Sequence, residues 1–98
     1  MPVRFENSAP VTPATTLTIT AANTSQQVFP SVTRNYLLVQ NTSDTDMWMG
    51  IGVTPTVGTG IRLAAGGGGY VAESEFIPSG EVRIICSVAG KTFHALQG

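Results

Sequence analysis

Charge is what this sequence has least of. Only 11% of its 98 residues are Asp, Glu, Lys or Arg, against about 25% in ordinary globular domains. The five basic residues, Arg4, Arg34, Arg62, Arg83 and Lys91, stand singly, and the net charge is −1. That excludes the basic footprint with which proteins follow a phosphate backbone, so no nucleic-acid partner is expected. The one cysteine, Cys86, excludes an intrachain disulfide. It also lacks the Cys and His companions that a zinc site needs. No apolar run reaches the length that spans a bilayer, and residues 1–16 contain no leader-like apolar core, so no membrane partner is expected. Apolar spacing at i, i+3, i+4 and i+7 is missing throughout, which excludes amphipathic helices.

What is present is a series of short extended segments. Apolar residues make up 42% of the chain, enough for a thin core at this size. Residues 34–53, RNYLLVQNTSDTDMWMGIGV, read as two strands around a polar turn. Tyr36, Leu37, Leu38 and Val39 form the first. Residues 41–46 form the turn, from side chains that bond back to their own backbone. In the second strand Met47, Met49, Ile51 and Val53 point to the core, and Trp48, Gly50 and Gly52 point the other way. Thr16, Thr18 and Thr20 alternate with Leu17, Ile19 and Ala21 in a half-buried strand. A short strand at residues 25–29 stops at Pro30. Residues 54–60 form a loop, 61–64 a short strand, 65–69 a glycine corner, and 70–72 and 75–77 further extended pieces. Val82, Ile84, Cys86 and Val88 share one face of a strand. Residues 89–91 then read as a tight hairpin returning through Phe93 and Ala95.

About seven to nine short strands at this spacing predict an all-β fold, an antiparallel β-sandwich or small barrel, over residues 15–98. Residues 1–14 contain Pro2, Pro10 and Pro13 and are expected to be an extended N-terminal arm. The arm reads either as a frayed terminus or as a strap lying along a neighbouring subunit. A small, weakly charged, β-rich domain tends to associate, and being part of an assembly is one way to cover such a surface.

Candidate chemistry is sparse. Gly90-Lys91-Thr92 resembles the end of a phosphate loop, but Ile85 stands where the leading glycine belongs, and a strand follows where a helix is needed. Gly58-Thr59-Gly60 would need its third glycine at Leu63 and a βαβ unit around it. His94, the single histidine, has no spacing signature that links it to a nucleophile such as Ser87. Cys86 lies on an apolar face, where a thiol is inert by default. Asp44 and Asp46 lack the order of a calcium loop and read as turn residues. No catalytic residue, cofactor or metal is expected. Trp48, flanked by two glycines on its face, is either buried between layers or an exposed contact for a protein or glycan.

Taken together, QQVFP (26–30), RNYLLVQNTSDTDMWMGIG (34–52), GTGIRLAAGGGGY (58–70) and FIPSGEVRIICSVAGKTF (76–93) resemble a group of small tailed-bacteriophage virion proteins. The shared features are an Arg-aromatic-apolar strand, a polar turn, an aromatic strand, a Gly-Ile-Arg-Leu segment followed by glycines, and a closing Pro-Ser-Gly strand pair. The resemblance covers about residues 26–94. It implies a non-enzymatic structural β-sandwich of the phage particle, located in the virion after assembly in the host cytoplasm. The leading expectation is a capsid decoration or cement protein that contacts the major capsid protein or other virion proteins and forms a homo-oligomer, such as a trimer. The alternatives are a tail, baseplate or head-fibre subunit, or a carbohydrate-binding module stacking sugars on Trp48 or Tyr70. The contact residues expected on this reading are Val3, Phe5 and Val11 of the arm, Val57 of the 54–60 loop, Trp48, Tyr70, and the glycine corner.

Overall fold

The computed structural model describes residues 12–73 and 77–98. These residues contain eight strands: β1 Thr12–Thr18, β2 Gln26–Phe29, β3 Tyr36–Asn41, β4 Met47–Ile51, β5 Ile61–Leu63, β6 Gly69–Glu73, β7 Val82–Cys86 and β8 Thr92–Gln97. They form two four-stranded sheets, in the orders β1-β8-β3-β6 and β2-β7-β4-β5. Every pairing is antiparallel. The expected all-β sandwich is therefore the fold, and its topology can be named more closely. β1 pairs with β8, β2 with β7, β3 with β6 and β4 with β5. Such nested pairs, rolled so that alternate strands fall in opposite sheets, are a jelly roll.

The core lies between the sheets, where the two-residue period of each strand delivers it. Leu37, Val39, Phe93 and Ala95 come from the first sheet; Met47, Met49, Leu63, Val82, Ile84 and Cys86 come from the second. Ile19, just beyond β1, joins them at 1% exposure. Its amide donates to the Lys91 carbonyl at 2.8 Å, and its carbonyl accepts from the Gly90 amide at 2.8 Å.

The structure corrects several expectations. Val53 and Val88 are not core residues: they are 65% and 43% exposed. In both cases alternation was carried past the end of a strand. β4 stops at Ile51 because Gly52 takes φ +76°, which no strand continues through, and β7 stops at Cys86. Residues 89–91 do turn the chain, but not into a hairpin. β7 and β8 belong to different sheets, so the turn arches across the sandwich. The 42–46 turn does the same between β3 and β4, and among the described residues only β4 and β5 form a hairpin within one sheet. The first strand begins at Thr12, inside the segment assigned to the arm. Pro13 falls where the β1–β8 register is irregular, between Thr12 and Thr15, on an edge strand, the setting in which sheets tolerate proline.

Because successive strands alternate in direction, the connections gather at two ends. Residues 19–25, 42–46, 64–68 and 87–91 share one end. Residues 30–35, 52–60 and the described part of 74–81 share the other, which is also where the chain enters β1 opposite Gln97.

Candidate functional site

The entry end carries the most contact-ready surface. Its frame is Arg34, a buried residue at 5% exposure. The Arg34 Nε donates to Gln97 Oε1 at 2.8 Å, Nη1 donates to the carbonyls of Pro78 (2.6 Å) and Gly80 (3.2 Å), and Nη2 donates to the Pro30 carbonyl at 3.0 Å. One planar fork thus binds the end of β2, the approach to β7 and the end of β8. Burial pulls the Arg34 pKa down from its usual value. The guanidinium stays charged regardless, since arginine does not deprotonate in proteins. Backbone bonds add to the frame: the Val32 amide donates to the Ser79 carbonyl at 3.0 Å, and the Gly52 amide to Glu81 at 2.8 Å.

On this frame the 52–60 loop folds back over the outer side of β4. Gly50 is buried there. A Cβ at position 50 would collide with the Val53 carbonyl oxygen and crowd Pro55. The space beside Trp48 therefore holds this chain's own loop. At the loop tip, Thr56 and Thr59 exchange backbone hydrogen bonds of 3.1 and 2.9 Å, which holds Val57 outward at 45% exposure. Val53 is exposed in the same loop, and Val32 projects at 42% from the 30–35 loop at the same end. Three branched apolar side chains are thus held in water on tied loops. Val3, Phe5 and Val11 lie outside the described residues.

The opposite end exposes Val88 but is otherwise polar, and it is organised by Asn41, which is fully buried. Asn41 Nδ2 donates to the carbonyls of Thr45 and Leu63, both at 2.8 Å, and Oδ1 accepts from the Ser43 amide at 2.9 Å and Ser43 Oγ at 2.8 Å. Its backbone binds the glycine corner: the Asn41 amide donates to Gly68 O at 2.8 Å, and the Gly67 amide donates to Asn41 O at 2.9 Å. The corner, expected as a contact, thus lies at the end away from Val57 and is braced by its own chain. Asp46 accepts from the Ala65 amide at 2.8 Å and from Arg62 Nη2 at 2.7 Å. These bonds, the backbone donor first, hold its carboxyl below the usual range. Asp44 accepts from Lys91 Nζ at 2.7 Å, which lowers its pKa in the same way. The two acids that suggested calcium are thus engaged by Arg62, Ala65 and Lys91. Among the described residues no cluster of metal-ligating side chains occurs.

Trp48 is half-buried and points away from the core, between Arg62 on β5 and Ile85 on β7 in register. Ile85 also points outward, yet is only 5% exposed, and the indole opposite is the group placed to cover it. Trp48→Ala is therefore expected to lower stability by on the order of 1 kcal/mol, read as a shift in the urea midpoint. A midpoint left unchanged would free the indole for a ligand. Tyr70 pairs with Val39 and packs on the core. His94 Nε2 lies 3.1 Å from Thr16 Oγ1 on the outer face of the first sheet, and the Cys86 thiol donates to the Asp46 carbonyl at 3.5 Å.

Arg34 and Asn41 are the residues that sequence reasoning passed over. Arg34 opened the Arg-aromatic-apolar strand, but its spacing gave no sign that it would be buried. Asn41 stood in a run of turn formers, of which only one turns inward. Compared with protein-family models, with curated proteins and with solved structures, the chain matches none.

Proposed function

We propose that this chain is a capsid decoration or cement protein of a tailed-bacteriophage head, a structural protein that works through contact area and not through chemistry. The observation that carries the reading is the apolar entry end. Val32, Val53 and Val57 are exposed on tied loops: Arg34 fastens the 30–35 loop, and the Gly52 amide with the Thr56–Thr59 pair fastens the 52–60 loop, so docking them against the major capsid protein costs little ordering entropy. The resemblance to small virion proteins supports the assignment. The jelly roll adds support by analogy alone, since that architecture serves capsids and also lectins and cupins. Scarcity of charge suits a surface that is covered in an assembly, and repetition over a lattice multiplies a modest single contact through avidity.

The test is the copy number of the chain in purified particles, by quantitative mass spectrometry. Abundance comparable with the major shell protein is expected; a small fraction of it would move the assignment to the tail, baseplate or fibre. Val53→Asp and Val57→Asp are expected to weaken binding to undecorated capsids at least about tenfold, because a docked carboxylate is left without a partner. Thermal midpoints should not move, as both side chains lie in water. Full occupancy with both variants would remove the entry end from the interface.

A further inference from the structure

Each sheet of the sandwich has two edges, and three of the four are blunted. β1 carries Pro13 and an irregular register between Thr12 and Thr15. β2 is bulged between Gln27 and Phe29 and stops at Pro30. β5 is only three residues long. Proline, bulges and shortness are among the devices by which sheets avoid pairing with other chains, and edge charges are another. Among the described residues β6 has none of the first three, and its one charge, Glu73, stands at its end. Its five residues pair with β3 in unbroken register, and Val71 at its centre is 51% exposed.

The direction of the β6 backbone follows from its neighbours. Tyr36 and Gly98 exchange both backbone bonds, at 3.0 and 3.1 Å, while the Asn41 amide donates to Gly68. In an antiparallel ladder this alternates. Tyr36, Leu38 and Gln40 therefore turn their peptide groups to β8, and Leu37, Val39 and Asn41 turn theirs to β6. On β6, Tyr70 and Ala72 answer β3, which leaves the N–H and C=O groups of Gly69, Val71 and Glu73 aimed at an edge with which no strand of the described residues pairs. On the outer face, Val71 stands opposite Leu38, which stands opposite Leu96. Among the described residues an apolar row thus runs across the sheet and ends at the open edge.

We infer that β6 is a homodimer interface, in which the β6 strands of two copies pair antiparallel about a two-fold axis through Val71. Val71 then exchanges both backbone bonds with Val71 of the second copy, and Gly69 meets Glu73. The two sheets become one of eight strands, and the row Leu96-Leu38-Val71 continues into its mirror sequence across the axis. The occupant is a second copy because the edge is self-complementary in this register. Centring on Glu73 would oppose two carboxylates. Centring on Gly69 would require extended backbone at Gly67, whose φ is +120°. The product is a dimer, in place of the trimer that the virion reading suggests. It follows from the edge strands and does not rest on that reading.

Light scattering on the full chain is expected to give twice the 10.2 kDa chain mass. Val71→Pro removes only an N–H that faces the free edge, and Val71→Lys opposes two cations. Both are expected to halve the mass while leaving the β-sheet circular dichroism intact. Val71→Cys is expected to cross-link into a covalent dimer on mild oxidation, since facing residues of a bonded pair lie about 5.5 Å apart at Cα. Val57→Asp is expected to remain dimeric. A monomeric full chain, a dimer that survives both Val71→Pro and Val71→Lys, or loss of the dimer with Val57→Asp overturns the interface. A chain that dimerises in this way but binds no particle leaves the interface standing and removes the decoration role instead.

Discussion

Asn41→Asp, a change of one amide for one carboxylate, is expected to cost about 4 kcal/mol or more and so to consume much of the stability of a domain this small. The side chain keeps its volume and its Oδ1, which accepts from the Ser43 amide and hydroxyl. What is lost is the Nδ2 group, which donates to the Thr45 and Leu63 carbonyls. An ionised oxygen in its place faces two carbonyl oxygens inside a fully buried site. Repulsion replaces two hydrogen bonds, and desolvation adds to it.

The sign of the pH dependence distinguishes this account from a mere packing defect. Facing carbonyls and away from water, the new carboxyl has a folded pKa raised above its unfolded value. Its charged form is the destabilising one, so the penalty is greatest above the folded pKa and shrinks as pH falls through it. A protonated carboxyl again donates to one of the two carbonyls. Urea midpoints for Asn41→Asp and the parent chain should therefore converge on acidification. Asn41→Leu, which strands the Leu63 carbonyl and Ser43 amide without adding charge, should show a gap that does not change with pH. A parallel pH profile for both variants would show that Asn41 matters for shape alone.

The sequence made the strands legible and their partners obscure. Alternation placed Met47, Met49, Val82, Ile84 and Cys86 correctly in the core because a two-residue period is a local property. The same rule failed at Val53 and Val88, where nothing in the alternation marks that the strand has ended; the positive φ of Gly52 is a fact about the folded backbone. Turn chemistry at 89–91 reported correctly that the chain reverses. Whether the returning strand joins the same sheet or the opposite one depends on pairings such as β1 with β8, at the two extremes of the described chain, and no local signal carries that. Gly50 flanks Trp48 on the outer face, and the loop that covers it begins only two residues further on. The candidate site divided in the same way. Val57 was visible as an apolar residue in a loop of glycines. Val53 shares its loop but was counted into the strand before it, and Val32, at the same end, comes from the β2–β3 connection, which only the roll of the sheets brings there.

Arg34 is where the fold and the proposed role meet, and its removal should damage both in sequence. Arg34→Ala leaves the carbonyls of Pro30, Pro78 and Gly80 and the Gln97 amide oxygen without their donor. Hydrogen bonds to a charged donor are worth more than neutral ones, and a loss of about 3 kcal/mol or more is expected. Arg34→Lys should recover only part of it, because one ammonium cannot reproduce a fork whose arms reach three separate segments. Hydrogen exchange locates the damage. Protection should fall first at the Val32 and Gly52 amides, whose acceptors Ser79 and Glu81 lie on the segment that Arg34 holds. The Asn41 and Gly67 amides at the far end should be spared until global unfolding. If the entry end is the docking surface, capsid binding by Arg34→Lys should weaken at temperatures where the protein is still folded, since loops that must be ordered on contact bind at a cost. Unchanged protection at Val32 and Gly52 would mean that the loops hold themselves in place. The rigidity on which the docking reading depends would then have to come from the 52–60 loop alone.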